Sequence, residues 1–373
     1  MWKAVVYRGF LLLLLLLLPL ASPLQLSYSP TPHNTYSLSY SRIPSPSTPP
    51  TARPLLLLNG FGVGSFHQER LSSSLLSLFD RCPFSEIFLL DYVGQGGSWP
   101  ASEGDYAGTT LSAEFWAAQV AHFLEAVVRR PCVLAGNSIG GHLAAIVAAE
   151  RPGLVSDVVL FNATPVWRGA FRGLGWGAAL PAPPIPRFLG KVLYDLIRSP
   201  SVIARFLDEC YCDPAAHLSD SLGEKIRAVT VENRGGPAAF SSILFSPPHP
   251  TPFNAHLSRL SAASVLGIYG AEDPWVDERF ARRAFAVLAL NPKVGRRSLV
   301  MLDGAGHCPN HEAPGAVAEV LARNFAGGAQ EERAVEEGWG GRVRVRVGGG
   351  EGDSYKQPVK DEWFVQLVER VGR

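Results

Sequence analysis

The chain has 373 residues, with 34 Lys and Arg against 33 Asp and Glu, 47% hydrophobic content and 18% charged residues. That length is enough for one large domain or two modest ones with a buried core, and a formal charge of +1, with a single short Arg-dense tract near the end, argues against a nucleic-acid binder. Five cysteines (Cys82, Cys132, Cys210, Cys212, Cys308) are too few for a disulfide scaffold, and their odd number leaves at least one unpaired in a monomer.

The head of the chain differs from the rest. Residues 1–68 carry four basic side chains (Lys3, Arg8, Arg42, Arg53) and no acidic one. Lys3 and Arg8 precede the apolar run Phe10 to Leu18 and the exit Pro19-Leu20-Ala21-Ser22. This is the layout of a secretory signal peptide over residues 1–22, and the run is shorter than the roughly 20 residues a membrane-crossing helix needs. Residues 23–53 are rich in Ser, Pro, Thr and Tyr without apolar periodicity, which predicts a disordered linker. Its acid-poor, Ser-rich composition is also that of a transit peptide. The two segments together resemble the bipartite presequence of complex plastids; a secreted protein with a short linker is the plainer alternative.

Regular structure is expected from Pro54 onward. Leu55 to Leu58, closed by Asn59-Gly60-Phe61-Gly62, reads as a buried strand. Further strands are predicted at Glu86 to Asp91, Cys132 to Ala135, Val155 to Phe161, Val265 to Tyr269 and Ser298 to Leu302. Trp116, Val120, Phe123, Leu124 and Val127 recur at helical spacing, as do Leu143, Ile146 and Val147, and residues 278–290 and 314–326 are further helix candidates. Apolar runs alternating with helices predict an α/β fold over residues 54–326, with a mostly parallel central sheet flanked by helices. One interval breaks the alternation. Residues 165–252 hold 12 of the 30 prolines and several aromatics, and an insertion of this length is expected to be a functional lid, over about 165–255. Helices within it are predicted near 187–198, 200–210 and 219–233. Residues 327–373 contain ten of the 37 glycines and the repeat Arg342-Val-Arg-Val-Arg-Val347. They read as a flexible low-complexity tail, with a basic patch at Arg342–Arg346 as the alternative.

The chemistry is concentrated at strand ends. Gly136-Asn137-Ser138-Ile139-Gly140 lies between a predicted strand and a predicted helix and matches G-x-S-x-G, the nucleophile elbow. The turn strains the serine backbone, and a side chain two residues to either side would collide with a neighbouring element. A phosphate loop is the weaker reading, because no Lys follows the glycines. A serine hydroxyl needs a base oriented by a third group, in the chain order Ser, acid, His. His307, in Asp303-Gly304-Ala305-Gly306-His307 just after the last core strand, is the candidate base; His311, four residues on, reads as a surface or supporting group. Asp273, after the penultimate strand, is the candidate acid, with Glu272 and Asp303 as rivals. Backbone amides of Ile139 and Phe61 are the expected oxyanion donors. Asn162-Ala163-Thr164 fits a glycosylation acceptor but sits at a strand end facing the expected site, and Cys210-Tyr211-Cys212 lacks a metal-binding partner pair. Asp91, opening Asp91-Tyr-Val-Gly-Gln-Gly-Gly-Ser98, reads as an acidic cap on a tight turn.

These elements in this order resemble the α/β-hydrolase superfamily over residues 54–326. Four stretches resemble more narrowly the pheophytinase group of plastid hydrolases: Asn59-Gly-Phe-Gly-Val-Gly-Ser-Phe-His67; Asp91 to Ser98; Gly136-Asn-Ser-Ile-Gly-Gly141 with Asn162-Ala-Thr-Pro-Val-Trp167; and Glu272-Asp-Pro-Trp-Val276 with Gly304-Ala-Gly-His-Cys-Pro309. The resemblance implies Ser138, Asp273 and His307 as a triad, and hydrolysis of the phytyl ester of pheophytin in the plastid. The proline-rich lid and the glycine-rich tail depart from it. The expected enzyme is a serine carboxylic ester hydrolase with no metal or cofactor and no nucleic-acid partner. It acts on a hydrophobic ester at a thylakoid or envelope membrane surface, with Trp167, Phe171 and Trp176 as substrate-wall candidates. The alternatives are a plastid lipid esterase, a thioesterase or acyltransferase with the same triad, or a low-turnover ligand receptor on the same fold.

Overall fold

The short apolar runs become the middle of a single sheet. A computed structural model of the protein describes residues 23–31, 34–99, 111–163, 192, 194–232, 251–327, 332–338 and 340–348. Its strands are β1 (Leu24–Thr31), β2 (Asn34–Pro44), β3 (Leu55–Leu58), β4 (Glu86–Leu90), β5 (Cys132–Asn137), β6 (Val155–Phe161), β7 (Ala262–Gly270), β8 (Val294–Asp303), β9 (Arg333–Glu336) and β10 (Arg342–Gly348). They lie in the order β1-β2-β4-β3-β5-β6-β7-β8-β10-β9. The six central strands, β4 to β8 in that order, are parallel, as the unbroken apolar runs predict. Leu55 and Leu57 point into the core on one face, Leu56 and Leu58 into the core on the other. One core packs against the helices Ala113–Phe123, Ile139–Glu150 and Glu278–Ala289; the other packs against Glu69–Ser77 and Pro314–Ala326.

The expected disordered linker over 23–53 is corrected: β1 and β2 form an antiparallel pair, and β2 joins β4. The reason is a period-two pattern carried by tyrosine. Leu26 faces Leu38 and Tyr28 faces Tyr36 across the pair, while Tyr28, Tyr36 and Leu38 are buried. Tyr28 and Tyr36 meet Phe115 edge-to-face at 5.9 and 5.7 Å, and Tyr40 meets Phe123 at 5.1 Å. The rings bury a large apolar body however polar the neighbouring serines are.

The low-complexity tail and the basic patch are corrected in the same way. In β10, Val343 and Val345 are buried at 1% and 2% exposure, and the strand pairs antiparallel with β8 and β9. Arg342, Arg344 and Arg346 face away from that core, and two of the three are paired: Arg342 with Glu336 at 3.1 Å, and Arg346 with Asp303 at 2.6 Å. The α/β domain therefore takes in strands from both flanks of residues 54–326. Residues 1–22 lie outside the described residues, as does the chain from 349 onward.

Within the expected lid, Pro200–Cys210, Pro214–Leu218 and Leu222–Glu232 are helices. They share a small core of Ile203, Leu207, Cys210, Tyr211, Leu222 and Ile226, which rests on Cys308, Val63 and Phe66. Trp167, Phe171 and Trp176 lie outside the described residues. No helix among the described residues is long and apolar enough to cross a membrane.

Candidate active site

At the carboxyl ends of β3 and β5 the strand order reverses, which opens a crevice in a parallel sheet. Ser138 stands there, between β5 and the helix Ile139–Glu150, with φ 54° and ψ −120°. This is a conformation that non-glycine residues hold only under strain, at a cost of about 1–3 kcal/mol. It persists because the surroundings leave no alternative. The Ser138 N–H donates to the Phe161 carbonyl at 2.9 Å. A Cβ on Gly136 would overlap the Gly140 backbone, and one on Gly140 would sit 2.7 Å from the Leu58 and Asn59 carbonyl oxygens. The steric need for both glycines is thus met as the sequence predicts. Ile139 is the first residue of the helix, where backbone N–H groups have no intrahelical acceptor. The loop after β3 packs onto the elbow: a Cβ on Gly60 would lie 3.4 Å from Ser138 Cβ, and Phe61 follows, partly exposed.

His307 leaves β8 through Gly304, whose φ of +87° needs a glycine. Its Nδ1–H donates to Asp273 Oδ2 at 2.6 Å. This fixes the tautomer and leaves Nε2 as the basic nitrogen. The His307 backbone is tied at both ends, its N–H to the Cys210 carbonyl at 2.8 Å and its carbonyl to Asn137 Nδ2 at 2.9 Å. Trp275 packs edge-to-face on the imidazole, with ring centroids 4.9 Å apart. Trp275 Nε1–H in turn donates to Glu209 of the lid at 3.0 Å.

Asp273 accepts from the Trp275 and Val276 amides at 2.7 and 3.0 Å and from Asn162 Nδ2 at 2.6 Å. Burial pushes its carboxyl upward, but the His307 bond and charge, with the Val276 and Trp275 amides, outweigh this and hold it below the ordinary carboxylate value. The rivals have other tasks. Glu272 accepts from the Gly304 and Ala305 amides at 2.8 and 3.1 Å, and Asp303 pairs with Arg346. Ser138, Asp273 and His307 thus follow three different strands, and the Asn137 bond to the His307 carbonyl ties the residue before Ser138 to the base. Asn162, noted in the sequence as a poor glycosylation acceptor and within a resembling stretch but given no role, is fully buried and holds the acid; its position at the end of β6 was the available signal.

Asp91 is the expected turn cap. It accepts from Ser65 N at 2.5 Å and Gly97 N at 2.9 Å, while burial raises its pKa to about 6 against these bonds. Among the described residues no group of three or more His, Cys, Asp and Glu side chains is placed to hold a metal ion.

The sequence did not single out the polar seam between the helices of residues 200–232 and the rest of the domain. His311 Nε2–H donates to Asp220 Oδ2 at 3.0 Å, so its Nδ1 accepts from the Tyr211 hydroxyl at 3.0 Å. The Tyr211 oxygen accepts in turn from His67 Nε2–H at 2.9 Å. His67 and His311 stack with centroids 4.7 Å apart. Burial holds the His67 pKa well below the ordinary value of 6.5, helped by repulsion from His311, and burial also lowers His311. Both rings therefore take up a proton less readily in the fold than in the unfolded chain. The unfolded chain then binds more protons below pH ~6.5, so stability falls as pH drops below that value. Asp91 acts in the opposite sense, because its raised pKa favours the fold as pH falls from about 6 towards 4. The informative quantity is therefore a difference between proteins. Denaturant unfolding between about pH 6.5 and 5 should show a shallower loss for His67→Gln than for wild type, by up to about 1.4 kcal/mol per pH unit. Equal slopes would refute the assignment of His67 as a buried neutral group.

Known proteins resemble this chain in sequence and in fold. The sequence profile described as the alpha/beta hydrolase family matches residues 55–320. The chain is 30% identical over 297 residues to the chloroplastic pheophytinase of Arabidopsis thaliana, an alignment covering 70% of this chain and 58% of that protein. The chain thus spans less than two thirds of that relative's length. Among solved structures, an esterase from Thermogutta terrifontis superposes with a TM-score of 0.58 at 18% identity, covering 82% of this chain and 99% of that one. A bacterial membrane phospholipase A superposes with a TM-score of 0.56 at 22% identity, covering 87% and 94%. At these identities the structural likeness speaks to fold alone.

Proposed function

This chain belongs to the alpha/beta hydrolase family, and on that premise we propose that it is a serine carboxylic ester hydrolase acting through an acyl-enzyme. The observation that carries the reading is the His307 Nδ1–Asp273 Oδ2 bond of 2.6 Å beside an elbow serine at φ 54°. In the proposed reaction, His307 Nε2 accepts the Ser138 proton as Oγ attacks the ester carbonyl. Asp273 holds the imidazolium that forms, and the Phe61 and Ile139 amides take up the oxyanion. The C–O bond breaks as His307 returns the proton to the departing alkoxide, giving the free alcohol and an acyl group on Ser138. Water, deprotonated by the same imidazole, then displaces the acid and restores the serine.

For the substrate we propose the phytyl ester of pheophytin or of a related chlorophyll pigment, giving pheophorbide and phytol within the plastid. Two things support it: the name and compartment of the Arabidopsis relative, and the four sequence stretches that resemble that group. Three exposed apolar side chains, Phe61, Trp275 and Phe206, are compatible with an apolar substrate. The proposed targeting sequence is confined to residues before Leu24, because removing more would take away β1.

Purified protein incubated with pheophytin, chlorophyll and a p-nitrophenyl ester series tests the substrate. Release of pheophorbide and phytol is the expected result. Cleavage of short esters alone would overturn the phytyl assignment and leave a general esterase.

A further inference from the structure

The segment after β4, Asp91 to Ser98, touches the loop after β3 at three points, and each contact fixes that loop's backbone. Tyr92 OH donates to the Asn59 carbonyl. Gln95 Oε1 accepts from Gly62 N at 3.0 Å and, more weakly, from Asn59 Nδ2 at 3.4 Å. Asp91 accepts from Ser65 N. Between these anchors lie Gly60, packed on Ser138, and Phe61, the proposed oxyanion donor.

The segment that holds the loop is itself rigid. Val93 N donates to Gln119 Oε1, and Trp116 Nε1–H donates to the Val93 carbonyl, both at 2.9 Å. Gly94 N and Ser98 N close a tight turn around Gln95 through bonds to the Ser98 and Gln95 carbonyls at 2.7 and 2.9 Å. The two backbones touch: a Cβ on Gly64 would sit 2.6 Å from Gly96 Cα. Gln95 is 2% exposed, so its side chain has no solvent-exposed conformation available without opening this contact. Gly62 has φ +79° and nothing within 4 Å of the place where a Cβ would be. No neighbour would press on a Cβ there, so polar ties carry the loop: Asn59 Nδ2 holds the Gly60 and Val63 carbonyls at 2.9 and 3.2 Å, and Gln95 Oε1 holds the Gly62 amide between them.

Resting on the serine-hydrolase reading, we propose that Gln95 is a positioning residue of the reaction: its Oε1 holds the Gly62 amide and thereby fixes the preceding Phe61 peptide against Ser138, where the oxyanion develops. Preorganised donors act only if their direction is set before the charge appears, and a misplacement near 1 Å can cost about a hundredfold in rate. Asp91 and Tyr92 set the ends of the loop; Gln95 sets its middle.

The test uses the full chain with Gln95→Leu, which keeps the bulk and removes the acceptor. Two readouts are taken: amide hydrogen exchange at Gly62, and kcat and KM on a p-nitrophenyl ester. Gly62 exchange should quicken at least about tenfold and kcat should fall about tenfold to a hundredfold, with KM within about twofold and the melting temperature held. Gln95→Glu, which keeps an acceptor oxygen, should recover most of both losses. Unchanged Gly62 exchange in Gln95→Leu would overturn the contact, and faster exchange with unchanged kcat would overturn its role in the reaction. If Gln95→Leu does not fold, Gln95→Met makes the same comparison with a more adaptable side chain. A wild-type protein inert to every ester and to fluorophosphonate would sink the hydrolase reading instead, a result separate from the Gly62 exchange measurement.

Discussion

Replacing Ser138 with alanine is expected to lower kcat on any carboxylic ester by about 10⁴- to 10⁶-fold and to abolish labelling by a fluorophosphonate probe. The expected effect is large because the hydroxyl oxygen is the atom that forms the acyl bond, and His307 and Asp273 have nothing to activate without it. The fold should be untouched. Alanine keeps the same Cβ at φ 54°, so it carries the same backbone strain as serine. Ser138→Gly should be equally inactive yet more stable, by about 1 kcal/mol, because glycine holds a positive φ at little cost. Kinetics and denaturation on the three proteins separate the two effects. Ester hydrolysis retained by Ser138→Ala within tenfold of wild type would exclude the acyl-enzyme mechanism.

Ending the chain at Gly327 is expected to prevent stable folding. The loss removes β10 from the edge of β8, together with the apolar cover that Val343 and Val345 give to the core around Val300, Leu302 and Val317. Burying one such valine stabilises by roughly 1.5–3 kcal/mol, set against a total of roughly 5–15 kcal/mol for a domain. The cut also removes Glu337, whose carboxylate accepts from the Gly315 and Ala316 amides at 3.2 and 2.9 Å at the start of the helix Pro314–Ala326. Soluble yield and melting temperature, compared with the full chain, check this. A truncated protein melting within about 3 °C of wild type would show that the last strands are dispensable.

Much of the site can be read in the sequence because its chemistry is local. Gly136, Ser138 and Gly140 fall within five consecutive residues, though the carbonyls that demand Gly140 belong to Leu58 and Asn59, and His307 and Asp273 each follow an apolar run that ends in turn residues. The choice between Asp273 and Glu272 could not be made locally. Both carboxylates lie in the same loop, and only the fold shows that one reaches an imidazole while the other reaches two amides. Asn162, Tyr211 and His67 were missed because their partners lie 111, 100 and 144 positions away. The central strands were legible because both their faces are apolar. The outer ones carry their pattern on one face only, through Tyr28, Tyr36 and Leu38 or through Val343 and Val345, and polar or charged neighbours hide it.

Those outer strands also leave the sheet with two unequal margins. β9 is four residues long and bounded by Arg333 and Glu336, a short charged border that discourages further pairing. β1 runs for eight residues, Leu24 to Thr31, without a single charge, and only Pro30 interrupts its outer row of donors. One border is guarded; on the other, among the described residues, His122 Nε2 meets the Ser27 carbonyl at 3.0 Å and no strand lies outside β1. Self-association at high protein concentration is therefore to be sought at β1, and a lysine at Ser27, whose side chain is exposed, is the substitution suited to closing it.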